Sequence, residues 1–323
     1  MTDAPAIATE QIVKRFGDVE AVRGVDLEVP AGTVFGLLGP NGAGKTTIVR
    51  MLTTILKPTA GRATVLGVDC AQNPEHVRHI IGLAGQYAAV DENLTGHENL
   101  RMVGKLTHLP KATIRARADE LLERFNLTVA AHRPVRTYSG GMRRRLDLAA
   151  ALVHKPTVLF LDEPTTGLDP RGRNDLWGVI EALVADGTTI LLTTQYLEEA
   201  DRLCDSIAVI DNGQVIARGT PNELKESFGA TVVEIGMTSN RGALRTRDAV
   251  ERFGSAAVMG DGLTVEVKLE EGPKGVTALV RTLDAAKLEP ARLIVREPTL
   301  DDVFLSLTGH AAEVTEAGEE GAA

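Results

Sequence analysis

The sequence predicts an α/β fold built on a mainly parallel sheet and followed by a smaller α+β unit. Three observations carry that expectation. An apolar run, Val34-Phe35-Gly36-Leu37-Leu38, enters the glycine loop Gly39-Pro40-Asn41-Gly42-Ala43-Gly44-Lys45-Thr46-Thr47 and leaves it in a helical pattern, Ile48-Val49-Arg50-Met51-Leu52. A second apolar run, Val158-Leu159-Phe160-Leu161, stops at Asp162-Glu163-Pro164; unbroken apolarity of this kind marks a strand covered on both faces. From residue 229 onward the apolar and turn patterns follow the order β-α-β-β-α-β, which is ferredoxin-like.

The glycine loop fits G-x-x-x-x-G-K-[ST] in the strand-loop-helix setting that the motif requires. Its glycines let the backbone wrap a phosphate chain, and the N–H groups at the helix start face the anion. Lys45 reaches the terminal phosphates and Thr46 offers its hydroxyl to a magnesium ion. Residues 39–47 therefore predict a P-loop that binds a nucleoside triphosphate.

Length and composition bound the rest. At 323 residues the chain exceeds what one core usually fills, so domains at 1–228 and 229–310 are expected, with 311–323 a disordered acidic tail. Its 43% hydrophobic and 24% charged content is that of a globular protein, and its low aromatic content points to a core of Leu, Val, Ile and Ala. A formal charge of −9 argues against nucleic acid as a partner, because duplex binding draws on a large basic face. The basic run Arg143-Arg144-Arg145 reads as one exposed helical turn. Cys70 and Cys204 form no disulfide framework, and His76 with His79 reads as a solvated helix face. Without a basic-then-apolar leader or about 18 consecutive apolar residues, the chain is expected to be cytoplasmic and not to span a membrane itself.

Taken in order, residues 7–29 alternate in short strands broken by glycines, an antiparallel sheet ahead of the P-loop strand. Phe16 sits on a turn there; as residues go, it is either a platform for an adenine ring or a core side chain. Residues 63–67 and 80–86 read as strands, the second ending in Gln86. Helical periodicity then takes over from Thr95 to Leu127, with Leu121, Leu122 and Phe125 on one stripe, making a helical subdomain. Ser139 is a natural N-cap for a helix over 143–153, and Gly140 and Gly141 expose its first N–H groups, a second anion site. After the 158–163 strand come a turn at 166–170, a helix over 173–185 and a buried strand over 188–194 ending at Gln195. A short helix leads to a hairpin turned at Asp211-Asn212-Gly213.

Ligands bind at the carboxyl ends of such central strands. Asp162 is placed to hold the magnesium ion opposite Thr46. Glu163, one residue on, points elsewhere and could polarise an attacking water, which is much of what phosphoryl transfer needs from a protein.

The ordered set of P-loop, Gln86, Tyr138-Ser139-Gly140-Gly141-Met142-Arg143, Leu161-Asp162-Glu163-Pro164 and Gly167-Leu168-Asp169 resembles the nucleotide-binding subunit of an ABC transporter over about the first 225 residues. Met142 replaces the commoner Gln. Together with Thr193-Thr194-Gln195-Tyr196-Leu197-Glu198-Glu199-Ala200-Asp201 and the late Glu297-Pro298-Thr299-Leu300-Asp301-Asp302-Val303-Phe304, the pattern is similar to drug-exporter ATPases of the daunorubicin-resistance type over nearly the whole chain. The resemblance implies an ATP-hydrolysing subunit on the cytoplasmic side of the membrane, peripheral to a separate integral permease that exports amphipathic compounds. It implies a head-to-tail homodimer clamping two ATP molecules, each between the P-loop of one copy and residues 139–141 of the other, with Asp169 among the nucleotide-site residues. By matching position, Phe16 is the adenine platform, Gln86 contacts magnesium and faces the membrane partner, and Glu163 is the catalytic carboxylate. The family usually has His where this chain has Gln195; an amide donates a hydrogen bond but does not titrate. The competing expectation is a soluble ABC-type ATPase, or a regulatory ATP-binding module, not coupled to transport.

Overall fold

The computed structural model describes residues 4–85, 90–227, 231–269 and 272–308, and the chain divides between Thr220 and Pro221 into two compact units. The expected tail at 311–323 lies outside the described residues. In the first unit the elements run β1 (Ile7–Phe16), β2 (Val19–Val29), β3 (Val34–Leu38), α1 (Lys45–Leu52), β4 (Ala60–Val65), β5 (Val68–Asp69), α2 (Pro74–Ile80) and β6 (Ile81–Ala84). There follow α3 (Gly96–Leu106), α4 (Lys111–Arg124), α5 (Gly140–Ala151), β7 (Val158–Asp162), α6 (Pro170–Ala185), β8 (Thr189–Thr194), α7 (Leu197–Leu203), β9 (Ser206–Asp211) and β10 (Gln214–Gly219).

A four-stranded sheet, ordered β2-β1-β4-β5, carries the antiparallel part. The expected short strands are in fact two long ones. Gly24 does not break β2; at φ +69 it lies beside the Gln11 side chain, where register shifts in both strands absorb the extra residues as bulges. The second sheet is ordered β10-β9-β3-β8-β7-β6, parallel from β9 to β6, with β10 added antiparallel through the Asn212-Gly213 turn. Ile48, Val49, Met51 and Leu52 of α1 belong to one buried cluster with Ile12 and Leu27 of the antiparallel sheet and Phe35 and Phe160 of the parallel one. That packing ties the helix after the P-loop to both sheets.

The order of the parallel strands positions the site. β3, β8 and β7 are neighbours, with Leu37 beside Thr193 and Thr193 beside Asp162, so the P-loop, Gln195 and the two carboxylates all leave the same edge of the sheet. The helical subdomain begins at α3 with a capping box between Thr95 and Glu98. In α4 and just beyond, Ile114, Ala118, Leu121, Leu122 and Phe125 are buried, the stripe that the periodicity predicts.

The second unit opens with α8 (Pro221–Ser227), which the sequence reading gave to the first domain. It groups instead with the later residues because it packs on the final helix. β11 (Thr231–Gly236), α9 (Asn240–Val250), β12 (Gly254–Val258), β13 (Thr264–Leu269), α10 (Pro273–Ala285), β14 (Arg292–Arg296) and α11 (Leu300–Thr308) complete it. Its antiparallel sheet is ordered β12-β13-β11-β14, the split β-α-β arrangement of a ferredoxin-like unit. Val233, Ile235, Val265, Val267 and Leu269 form its core with Ala243 and Val250 of α9 and Leu279 and Leu283 of α10.

Candidate active site

The loop after β3 is shaped by what surrounds it. Gly39 (φ +155) and Gly44 (φ +108) adopt conformations that side chains rarely reach. A Cβ on Gly39 would strike the Ile210 carbonyl, and one on Gly44 would sit 2.7 Å from the Ala21 carbonyl. Lys45 is buried, its Nζ donating to the carbonyls of Gly39 at 2.6 Å and Pro40 at 3.0 Å. Its ammonium thus lies within the loop whose N–H groups, at the start of α1, favour an anion.

Asp162 ends β7, nearly buried, and its Oδ1 accepts from Thr46 Oγ1 at 3.2 Å and from Thr193 Oγ1 at 2.5 Å. A hard cation fits this pair: an alcohol and a carboxylate facing each other at a helix start already biased toward phosphate. Glu163 takes φ +51, a strained value for a side-chain residue, worth roughly 1–3 kcal/mol. Its N–H donates to both the carbonyl and the hydroxyl of Thr193 at 3.1 Å, and its carbonyl accepts from Arg144 at 3.1 Å. Those bonds hold the turn that swings Glu163 out of line with Asp162, and Thr166 Oγ1 donates to Glu163 Oε2 at 3.3 Å.

Arg144 corrects the reading of residues 143–145 as an exposed turn. It is buried, and its guanidinium donates to the carbonyls of Pro164 at 2.7 Å, Asp162 at 3.2 Å, Glu163 at 3.1 Å and Gly85. Bonds from a cation are about twice as strong as neutral ones, so Arg144 braces the end of β7 and the turn after it. Burial lowers its pKa, opposed first by Asp147, itself buried 3.4 Å away. Three consecutive helical residues point about 100° apart and rarely all face water; that was the available signal.

Ser139 caps α5, its Oγ accepting from Met142 N–H at 3.3 Å, as expected. Asp169 caps α6 in the same way, accepting from Gly172 N–H at 3.0 Å. This starts the helix at Pro170, three residues ahead of the sequence reading. The two helix starts share an open cavity of about 740 Å³ lined by Ser139, Gly140, Gly141, Arg145, Asp169 and Arg171, among others, and no P-loop residue is in its described wall. The site residues thus fall into two groups. Lys45, Thr46, Asp162, Glu163 and the half-buried Gln195 stand at one sheet edge; Ser139, Gly140, Gly141 and Asp169 stand around the cavity. Phe16, at the end of β1, is 46% exposed with Lys14 Nζ 5.3 Å from its ring centre, which removes the core alternative. Gln86 lies outside the described residues.

The family model for ABC transporters matches residues 22–166, and that for the C-terminal domain of DrrA1-3-like ATP-binding proteins matches residues 219–308. The chain is 51% identical to the daunorubicin resistance ATP-binding protein DrrA2 of Streptomyces coeruleorubidus, over 98% of this chain and 99% of that one. This chain belongs to the ABC-transporter ATP-binding proteins of the daunorubicin-resistance type. It is likewise 49% identical to the daunorubicin/doxorubicin resistance ATP-binding protein DrrA of Streptomyces peucetius, over 98% and 97% of the two chains. Among solved structures, CbiO1 from Clostridium perfringens, part of the ABC transporter complex cbiONQ, superposes with a TM-score of 0.65 at 28% identity, covering 70% of this chain and 94% of that one. The chain is accordingly an ABC ATPase, and ATP hydrolysis is its reaction. Among the described residues no helix is long and apolar enough to cross a membrane.

Proposed function

We propose that this chain is the ATP-driven motor of an exporter for drug-like amphipathic compounds, closing head-to-tail on a second copy and driving a separate integral membrane subunit from the cytoplasmic face. The relatives' names as daunorubicin resistance proteins support the substrate class. The observation that carries the dimer is the 740 Å³ cavity, which gathers Ser139, Gly140, Gly141 and Asp169 with no P-loop residue in its described wall. A Cβ on Gly140 would meet nothing within 4 Å, and one on Gly141 only Leu168 Cδ2 at 3.8 Å. Glycine in a helix costs about 0.5–1 kcal/mol relative to alanine, and this fold does not require it there. Close approach by a nucleotide held on another copy's P-loop gives both glycines a reason.

In that complex the exposed Phe16 ring stacks on adenine, the 39–47 amides wrap the phosphates, and Lys45 turns from the loop carbonyls to the terminal phosphates. The Thr46 hydroxyl and Asp162 carboxylate, 3.2 Å apart, would hold a Mg²⁺ ion, with Gln86 a third protein group by its sequence position. When bound, the ion neutralises charge on the phosphate oxygens. Glu163 orients and deprotonates the attacking water. Gln195 donates a hydrogen bond to the γ-phosphate as charge develops on it.

Glu163→Gln tests this reading. ATP binding is retained, turnover falls by about 10²–10⁴-fold, and ATP with Mg²⁺ converts the protein to a stable dimer in size-exclusion chromatography with light scattering. A variant that stays monomeric at saturating ATP refutes the shared site, and one that keeps the parent rate refutes Glu163 as the base.

A further inference from the structure

Glu199, on α7 behind the reaction centre, has no exposed surface. Its Oε1 accepts from the indole Nε1 of Trp177 at 3.1 Å, while Oε2 has no hydrogen-bond partner among the described residues. The Thr165 hydroxyl, also buried and also without a partner, lies beside the same carboxyl, as does the hydroxyl of Thr194. Arg144 on α5 and the Cys204 thiol at the end of α7 are the ionisable groups facing it. Arg144 is already committed to four backbone carbonyls and to Asp147. Burial therefore raises the Glu199 pKa above the ordinary carboxylate value, opposed by the neighbouring Thr194, Trp177 and Thr165 side chains and the Arg144 charge. A protonated carboxyl has an O–H to offer, and the unpartnered Thr165 oxygen is there to accept it.

The groups around this carboxyl are those that frame Gln195. Thr194 precedes it, and the Thr194 hydroxyl also accepts from the Tyr196 N–H at 2.9 Å. Tyr196 follows it, with the Arg173 guanidinium over its ring at 5.3 Å. Arg173 and Trp177 are one turn apart on α6, the helix that Asp169 caps at the cavity. Arg202 of α7 lies over the Trp177 ring at 4.8 Å and donates to Asn174 at 2.7 Å, so α6 and α7 are fastened together.

We propose that Glu199 is a positioning residue of the ATPase reaction. Through Thr194 it fixes the strand end that carries Gln195, and through Thr165 and Trp177 it ties that strand end to the 165–169 loop and α6. The inference rests on the reading of Gln195 as a γ-phosphate donor. A buried glutamate with only a packing role would behave differently, since an apolar residue of similar volume often replaces a buried ionisable group without loss.

The test compares the full-length chain with Glu199→Gln, Glu199→Leu, Trp177→Phe and Gln195→Ala, by steady-state kinetics with ATP and Mg²⁺ and by emission of Trp177, the chain's single tryptophan. Glu199→Gln keeps the acceptor for Trp177 and stays within about twofold of the parent kcat. Glu199→Leu lowers kcat by roughly 10–100-fold, the cost of a small displacement at a reacting group, with KM for ATP unchanged. Its Trp177 emission shifts and no longer responds to ATP and Mg²⁺. Trp177→Phe, which leaves the carboxyl in place without its donor, also lowers kcat at constant KM. A Leu variant with parental kcat, a Gln variant as slow as the Leu variant, or a Phe variant with parental kcat overturns the proposal. Gln195→Ala keeps the two readings apart. A parental rate there withdraws the role of Gln195 and this inference with it; a slowed rate beside a parental Glu199→Leu withdraws the inference alone.

Discussion

Two helix starts in the first unit carry the residues expected to meet phosphate, and they are built in opposite ways. At α1 the chain itself demands its glycines: Gly39 and Gly44 hold positive φ and face the Ile210 and Ala21 carbonyls, and Lys45 is folded in on the loop. At α5 a serine cap begins an ordinary helix, and Gly140 and Gly141 face open space or a loose contact. The first site is shaped by packing within one chain. The second keeps backbone bare that its own fold would let it cover, which is the surface the proposed shared site would use.

The largest expected effect breaks the first site. Lys45→Ala removes the one mobile cation of the loop and should abolish nucleotide binding, measured by titration with a fluorescent ATP analogue. Parental affinity would mean that the loop amides alone hold the phosphates. A smaller pair of effects sharpens the contrast. Gly39→Ala should lower both the melting temperature and nucleotide affinity, because the added methyl meets the Ile210 carbonyl at a φ alanine avoids. Gly141→Ala should hold or raise stability, by up to about 1 kcal/mol, while weakening the ATP-dependent dimer and its turnover. Equal melting losses in the two variants would erase the distinction between the sites.

The smallest effect probes the sealed part of the site against its open face. An unfolded Glu199 titrates near pH 4.3, and burial raises the folded value. Between the two, the folded chain keeps a proton that the unfolded chain has released, so stability falls as pH rises through that window. Glu199→Gln does not titrate, and its melting-temperature advantage over the parent should grow as pH rises above the ordinary carboxylate range. An advantage constant with pH would exclude the neutral acid.

Legibility in the sequence followed how local each feature is. The P-loop, the Asp162-Glu163 pair and the Ser139 cap act through residues within a few positions of one another, and each stands where its pattern predicts. Arg144 was misread because its partners, Gly85 and residues 162–164, are near it only after β6 and β7 pair. Glu199 carried no pattern of its own; its significance comes from Thr165, Trp177 and Thr194, which three different elements supply. Likewise α8 looked like the end of the first domain because nothing in its sequence points to the final helix on which it packs.

By itself the sequence determined the phosphate loop, the carboxylate-ended strand and the β-α-β-β-α-β order of the second unit, because each depends on backbone conformation and on the periodicity of apolar residues along a short stretch. Tertiary structure alone decided that β8 runs between β3 and β7, which brings the Thr193 hydroxyl to Asp162 and its backbone to Glu163. It also decided that an arginine in a basic run becomes the brace of the β7 end, and that a helical glutamate is sealed from water. These follow from which strands pair and which faces are covered, since burial and hydrogen-bond partners belong to the packed neighbourhood and are not encoded at any single position.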